Sequence, residues 1–195
     1  MLSVTAVVLA AGASKRMGEP KLLLPYRDST VLNATIAAVE ASAIERLIVV
    51  VGAGAQEIEE SIESESATIV RNPDYRRGNM SSLLTATAAD SRAGAFVIVP
   101  GDLPTIRTDV IDSMIDLWIE AKPWAAVTEY SNRIAHPFLL SAAAVESMSD
   151  LAGEKVLGRL LVESYDARIL RLRVPYVPPR DMNTPDDYEA LLTDL

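Results

Sequence analysis

The chain of 195 residues contains no cysteine. This absence excludes disulfide bonds, thiolate metal sites and cysteine nucleophiles, and it is typical of proteins in the reducing cytoplasm. The sequence also lacks any run of the ~20 apolar residues that a membrane-spanning helix needs. We therefore expect a cytoplasmic protein that does not span a membrane.

Positive charge is also scarce. The chain has 18 lysine and arginine residues against 27 aspartate and glutamate residues, which gives a net charge of -9. A surface for nucleic acid or for an anionic membrane needs clustered positive charge, so we expect neither partner, although one local anion site is compatible with this balance. The apolar start, residues 1–14, has no basic segment before it. This favours a buried first strand over a secretory signal.

Apolar runs alternate with helical patterns along the first part of the chain. This order predicts right-handed βαβ units and a parallel sheet, and the length is that of one domain. The predicted strands are Val4–Ala10, Arg46–Val51, 67–70 and Ala95–Pro100, and the predicted helices are 30–41, 55–63, 81–90 and 109–120.

The pattern changes after residue 120. Two strands joined by a hairpin or a longer connection precede more helices, one late strand and a proline-punctuated loop. The fold class predicted for residues 1–195 is therefore α/β: a single domain with an open, mostly parallel, Rossmann-like sheet, helices on both faces, and a small antiparallel extension in the C-terminal half. The predicted elements here are strands 124–129, 136–140 and 167–174, helices 142–148, 155–163 and 185–192, and loop 174–179.

The loop after the first strand, residues 9–21, combines small residues with three cations, Lys15, Arg16 and Lys21. Small residues let backbone N–H groups approach phosphate oxygens. Arg16 can bind phosphate through two hydrogen bonds from its planar guanidinium group, and Lys21 can supply a point charge. The loop is not a Walker A loop, and Glu57 interrupts the dinucleotide fingerprint that begins at Gly52. A solvated turn with charges for solubility is the alternative interpretation of residues 9–21 alone.

Five motifs, in order, carry a resemblance along nearly the whole chain. Residues 9–21 match L-A-A-G-x-S-x-R-M-G-x-P-K, and residues 72–83 are similar to N-P-x-[WY]-x-x-G-x-x-x-S-L. Residues 101–104 match G-D-x-P, residues 136–137 match H-P, and residues 181–188 match D-[IM]-[ND]-T-P-x-D-Y. The chain thus resembles the nucleotidyltransferases similar to molybdenum cofactor cytidylyltransferase.

The resemblance implies that a substrate phosphate attacks the α-phosphorus of a nucleoside triphosphate and expels pyrophosphate. Such catalysis is mostly positioning and charge neutralisation, and no protein nucleophile is needed. It implies a nucleotide-binding half at about residues 1–104, an acceptor-binding half at about 105–195, and Mg²⁺ as the cofactor. The implied catalytic residues are Arg16, Lys21 and Asp102, and the implied nucleotide-binding residues are Leu9, Ala10, Ala11, Gly12, Ser14, Arg16, Lys21, Asn72, Gly78, Ser81 and Ser82.

A carboxylate at the end of strand Ala95–Pro100 can hold Mg²⁺ against phosphate oxygens. Asp102 has that position; the alternative is a turn or helix-cap aspartate before helix 109–120. The resemblance brings Asp181 and Asn183 to the same metal, and either could be the second protein ligand. The Thr184–Pro185 step that follows is also a good helix start, and both interpretations can hold together.

The resemblance places Asn72, Gly78, Ser81 and Ser82 near the base and ribose, although Ser81 could instead cap a helix. It places His136 and Pro137 in the acceptor pocket. A lone histidine beside apolar residues, however, is often packed and hydrogen-bonded.

Ala11 favours CTP, because the guanylyltransferase relatives carry L-A-G-G where this chain has L-A-A-G. The acceptor motif G-D-x-G-x-R departs at residues 153–159, where Glu154 and Val156 replace the aspartate and the second glycine, and the arginine is displaced to Arg159. Ala135 also replaces the usual glycine before H-P.

The expected acceptor is molybdopterin cofactor, and the expected partner proteins are a molybdoenzyme or its maturation chaperone. The alternatives are a nucleotidyltransferase acting on a sugar or polyol phosphate, and a non-catalytic nucleotide- or cofactor-binding protein.

Overall fold

A computed structural model describes residues 3–14, 16–150, 156–163 and 168–193. The strands are β1 (Val4–Ala10), β2 (Pro25–Tyr26), β3 (Ser29–Thr30), β4 (Arg46–Val51), β5 (Thr68–Arg71), β6 (Ala95–Pro100), β7 (Ala125–Glu129), β8 (Ile134–Ser141) and β9 (Ile169–Arg173). The helices are α1 (Val31–Glu40), α2 (Ala55–Ser61), α3 (Asn79–Ala89), α4 (Thr108–Ala121), α5 (Ala142–Ser147), α6 (Val156–Glu163) and α7 (Pro185–Thr193).

Within the described residues, seven strands form one sheet in the order β5-β4-β1-β6-β8-β7-β9. Strand β1 pairs in parallel with β4 and β6, and β4 pairs in parallel with β5. Strand β8 is antiparallel to both neighbours, β6 and β7, whereas β7 and β9 are parallel. The predicted class, an open and mostly parallel α/β sheet in a single domain, is confirmed.

Helices cover both faces of this sheet because successive side chains of a strand point to opposite sides. In β1, Ala6 and Val8 pack in one buried cluster, which includes side chains of α1, α2 and α4. Val7 packs in the cluster on the other face, with side chains of α3, α5 and α6. A strand covered on both sides is expected to be almost entirely apolar, and the only polar side chain of β1, Thr5, donates its hydroxyl to Asp90 Oδ2 at 2.7 Å.

The predicted antiparallel extension is not peripheral. Strand β8 lies inside the continuous sheet, between β6 and β7, so the antiparallel pairing joins the two parallel parts. The hairpin β2–β3 was not predicted, because its strands are too short to show alternation and its turn at Arg27 and Asp28 contains no glycine.

Element ends differ slightly from the prediction. Helix α3 begins at Asn79, two residues earlier than predicted. Residues 155 and 167, the predicted starts of a helix and of the late strand, lie outside the described residues.

No helix in the described ranges is long and apolar enough to cross a lipid bilayer.

Candidate active site

A cleft of about 860 Å³ opens where β1 and β6 end, at the carboxyl edge of the parallel strands where ligands of open α/β sheets bind. Many of the predicted site residues line it: Leu9, Ala11, Gly12, Lys21, Gly78, Ser82, Asp102, His136, Asp181 and Asn183. The other predicted residues are outside its lining: Ala10, Ser14, Arg16, Asn72, Ser81 and Pro137. The cleft therefore joins motifs from both halves of the chain.

The loop after β1 forms one wall of the cleft and is held by its own backbone. Ser14 has a positive φ of 48°, its carbonyl accepts from Met17 N at 2.9 Å, and its hydroxyl accepts from Lys21 N at 3.3 Å. Gly52, at the end of β4, packs close to this loop. A Cβ atom there would lie 2.7 Å from Tyr75 Cβ and 2.9 Å from Ala11 Cβ, so only glycine permits this approach.

Lys21 joins the first loop to two distant parts of the site. Its Nζ donates to Asp102 Oδ2 in an ion pair and to the carbonyl oxygen of Met182 at 2.6 Å. The side chains of Lys21 and Asp102 are only 16% and 13% exposed, so water screens this pair weakly. Asp102 does not cap α4, because the N-cap residue of that helix is Arg107.

The segment around Met182 returns to the first loop because Met182 is a core residue. Its side chain is 1% exposed and packs with Tyr26, Val31 and Leu191. The Tyr188 hydroxyl, on α7, donates to Pro25 O at 2.7 Å. Burial of Met182 fixes its two neighbours in sequence, Asp181 and Asn183, at the edge of the cleft.

A capping box orients Asn183. Thr184 precedes α7, and its hydroxyl accepts from Asp187 N at 3.3 Å. In return Asp187 Oδ2 accepts from Thr184 N and Oγ1, both at 2.8 Å, and from Asn183 N at 3.0 Å. These hydrogen bonds hold the pKa of Asp187 below its ordinary value, and the hydrogen bond from the Thr184 hydroxyl has the largest effect. The predicted helix start at Thr184–Pro185 is confirmed, and it fixes the backbone of Asn183.

The predicted metal ligands offer only oxygen atoms. Asn183 Oδ1 accepts from Arg16 Nη2 at 2.7 Å, and Asp181 Oδ2 lies 3.8 Å from Arg133 Nη1. Within the described ranges, no group of three or more His, Asp or Glu side chains could hold a metal ion. This sparse set suits Mg²⁺, which is usually bound through one or two carboxylates with substrate phosphates and waters.

Asn72 is a positioning residue inside the fold. It is 3% exposed, and its Nδ2 lies 2.9 Å from Ser81 Oγ and 3.0 Å from Ser82 Oγ. Its Oδ1 accepts from Asp74 N at 2.9 Å. The alternative in which Ser81 caps α3 is wrong, because Gly78 is the N-cap residue and Ser81 lies in the first turn.

His136 is both packed and exposed to the cleft. Its Nδ1 lies 3.2 Å from the Ile98 carbonyl, and its ring centroid is 4.0 Å from that of Phe138. Burial lowers the pKa of His136 to about 4, so the ring is neutral near pH 7. Pro137 faces away, since it is buried and its carbonyl accepts from Thr128 Oγ1 at 2.8 Å.

The wall near His136 contains Arg133, which the sequence did not single out, and Arg159, which the sequence indicated only as the displaced arginine of the acceptor motif. Arg133 precedes His136 on the β7–β8 connection, and Arg159 lies on α6. Apolar side chains, among them Phe138 and Val162, line the cleft beside them. The useful sequence signals were the displaced arginine at position 159 and an arginine three residues before the histidine. Residues 153–155 of the altered acceptor motif lie outside the described residues.

The sequence profile of the MobA-like NTP transferase domain matches residues 6–169. The chain belongs to this family. It is therefore a MobA-like nucleotidyltransferase, and the expected family is confirmed.

Two relatives show how closely this MobA-like chain follows proteins of assigned activity. It is 27% identical over 194 residues to the molybdenum cofactor cytidylyltransferase of Escherichia coli (strain K12), covering 96% of this chain and 95% of that protein. It is 30% identical over 169 residues to nicotine blue oxidoreductase of Paenarthrobacter nicotinovorans, covering 80% and 81% of the two chains.

Solved structures have the same fold as this MobA-like chain. A homologue of Rv0371c from Mycobacterium sp. strain JC1 superimposes with a TM-score of 0.87 at 38% identity, covering 98% of this chain and 96% of that one. Rv0371c of Mycobacterium tuberculosis H37Rv, in complex with manganese, superimposes with a TM-score of 0.86 at 29% identity, covering 99% and 100%.

Proposed function

We propose that this protein transfers CMP from CTP to a phosphate group of molybdopterin cofactor, with Mg²⁺, and releases pyrophosphate. The observation that carries the proposal is the convergence in one cleft of Lys21 from the first loop, Asp102 from the end of β6, and Asn183 from the segment before α7. Cations that can hold phosphate thus lie beside oxygen atoms that can hold a divalent ion.

In the proposed reaction an acceptor phosphate oxygen forms a bond to the α-phosphorus, and the bond from that phosphorus to the bridging oxygen of the β-phosphate breaks. Arg16 and Lys21 neutralise phosphate charge, and backbone N–H groups near Gly12 approach phosphate oxygens. Asp102, with Asp181 or Asn183, would hold the Mg²⁺, which stabilises developing negative charge when bound. Manganese in the related Rv0371c structure supports a divalent ion here.

We assign the nucleotide to about residues 1–104 and the acceptor to about 105–195. Asn72 holds Ser82 near the base and ribose, since the Ser82 side chain lines the cleft and its hydroxyl contacts Asn72. CTP is the proposed nucleotide because of Ala11. The return of Asp181 and Asn183 to the first loop means that the second half also serves the metal.

The acceptor lies on the wall formed by β8 and α6. Arg133 and Arg159 can bind an anionic group there, and His136 and Phe138 offer flat apolar surface to a ring. An acceptor with a phosphate and a fused ring fits both features. The E. coli cytidylyltransferase relative supports molybdopterin.

The decisive experiment incubates the protein with each labelled nucleoside triphosphate, Mg²⁺ and one acceptor at a time, and measures pyrophosphate. Release that needs both CTP and molybdopterin supports the proposal. Release with sugar or polyol phosphates would support the alternative acceptor class. Binding of nucleotide or cofactor without release would identify a non-catalytic carrier, for which Lys21 and Asp102 would have no chemical task.

A redox activity is the second candidate function, because a relative named nicotine blue oxidoreductase is 30% identical. The segment after β4 speaks against this activity, since the sequence from Gly52 to Glu57 lacks a complete dinucleotide fingerprint. Oxidation of a reduced nicotinamide cofactor, followed by its absorbance, tests this activity. Oxidation without pyrophosphate release in any assay would reject the proposed transfer.

A further inference from the structure

Each of the proposed metal ligands already has a basic partner. Lys21 Nζ donates to Asp102 Oδ2, Arg16 Nη2 donates to Asn183 Oδ1 at 2.7 Å, and Arg133 Nη1 lies 3.8 Å from Asp181 Oδ2. Two of these cations, Lys21 and Arg16, belong to the loop proposed to bind the triphosphate. The same side chains therefore have two possible sets of partners, the ligand oxygens and the phosphates.

The two sets of contacts compete with each other. The Lys21 ammonium occupies one oxygen of the Asp102 carboxylate, and it repels a divalent ion bound to the same carboxylate because the two cations would lie at short range. The Lys21 ammonium also donates to Met182 O at 2.6 Å. This second hydrogen bond stabilises its position beside Asp102 relative to a position in solvent. Triphosphate oxygens, in contrast, offer it equivalent charge-assisted hydrogen bonds.

We propose that Lys21 and Arg16 occupy the cation positions of the metal site in the free protein, and that they exchange partners when metal and triphosphate bind. The metal then takes the oxygens of Asp102 and Asn183, while the two side chains move to the phosphates. The binding of metal and the binding of nucleotide are thereby coupled. The phosphates draw the two cations away from the metal ligands, and the metal releases the two cations to bind the phosphates. This inference rests on the proposed metal site, and it predicts that the metal binds more weakly in the absence of nucleotide.

The surroundings allow the side chain of Lys21 to move while Asp102 stays fixed. Leu22 is 5% exposed and anchors the backbone next to Lys21, so the exchange needs rotation of only the flexible lysine stem. The preceding neighbour of Asp102 is Gly101, whose N–H donates to Leu9 O at 3.0 Å. A Cβ atom at Gly101 would lie 3.0 Å from Leu32 Cδ1, which shows how closely this turn is packed.

Titration of the free protein with Mn²⁺, followed by electron paramagnetic resonance, tests the exchange without any turnover. Lys21→Met should bind Mn²⁺ at least about tenfold more tightly than wild type, because a charged hydrogen bond no longer competes. Arg76→Met removes the same charge from the same cleft, but Arg76 packs over the Tyr75 ring, so its Mn²⁺ affinity should not show this increase. Arg16→Met repeats the test at Asn183 should Lys21→Met fail to fold.

The second half of the experiment adds a non-hydrolysable CTP analogue. After correction for the Mn²⁺–nucleotide complex in solution, the analogue should tighten Mn²⁺ binding more in wild type than in Lys21→Met. Equal Mn²⁺ affinity of free wild type and Lys21→Met, with loss of binding in Asp102→Asn, would overturn the exchange but keep the metal site. If Asp102→Asn leaves Mn²⁺ binding unaltered, both in the wild-type protein and when combined with Lys21→Met, the proposed metal site itself would be rejected.

Discussion

Arg16 and Asn183 are 167 positions apart in sequence, and a hydrogen bond of 2.7 Å joins their side chains. This contact links the loop after the first strand to the segment before the last helix. It depends on the burial of Met182, which packs against the hairpin region after the first loop. Lys21 makes the same link through the carbonyl of Met182, so the residues proposed for nucleotide and those proposed for metal are in direct contact.

We expect Lys21→Ala to weaken triphosphate binding by about 1.5–3 kcal/mol, the usual contribution of a hydrogen bond to a charged group. Calorimetric titration with CTP and Mg²⁺ measures this. Arg92→Ala serves as the control, because it removes the same charge from an exposed site outside the cleft. Equal affinities of wild type and Lys21→Ala would remove Lys21 from the phosphate site.

CTP should turn over faster than GTP, because Ala11 replaces the glycine of the guanylyltransferase relatives. Ala11 is 6% exposed and lines the cleft, so Ala11→Gly should reduce this preference. Parallel assays at equal Mg²⁺ compare the two nucleotides for both proteins. A clear preference of wild type for GTP would contradict the assignment.

Asp102→Asn should lower turnover at limiting Mg²⁺ by at least about tenfold, because an amide is a poorer ligand than a carboxylate. Its melting temperature should stay near that of wild type, since Asn can still accept from Lys21. Excess Mg²⁺ or Mn²⁺ should restore part of the activity. Full activity of Asp102→Asn at limiting Mg²⁺ would show that Asp102 does not bind the metal.

Thr184→Ala should destabilise the fold by about 1 kcal/mol, as expected for loss of an N-cap. The variant should also need more Mg²⁺ for half-maximal activity, because Asn183 N and Thr184 share the carboxylate of Asp187. Thr184→Ser retains the hydroxyl and should restore both properties. A purely structural cap would change the melting temperature while leaving the Mg²⁺ dependence at the wild-type value.

Acid should destabilise the protein through His136. Its pKa falls from the ordinary 6.5 to about 4 on folding, so the unfolded chain binds the proton more readily. The stabilisation is complete above pH 6.5 and is lost as the pH falls through 4, by up to about 3 kcal/mol. Denaturant unfolding between pH 7 and pH 4 should show a smaller loss for His136→Gln than for wild type. Parallel pH dependences would contradict the shift.

Local sequence patterns predicted most of the elements. The bounds of β1, β4 and β6 agree with the prediction, because strands buried on both faces are continuous apolar runs. The position of Asp102 after β6 and the start of α7 at Pro185 also followed from short segments. These features depend on neighbours within a few residues, which the sequence displays directly.

The motifs of the candidate site could be predicted from the sequence, but the contacts between their side chains could not. Sequence could not separate Asp181 from Asn183 as ligand, and it did not indicate that Arg16 and Lys21 contact the ligand oxygens. It also missed Arg133, because its position three residues before His136 does not by itself show that the arginine lines the cleft. Side-chain contacts of this kind depend on which distant segments meet.

What the sequence by itself determined was the class of fold, the family and the residue types available for phosphate and metal. The tertiary structure decided that β8 lies between β6 and β7, and that Met182 is buried beside Tyr26. The periodicity of apolar residues shows which face of a helix or strand is apolar, but it does not show which other element packs against that face. Burial of Met182 against the first-loop region settles that choice here, and it is what brings Asn183 to Arg16.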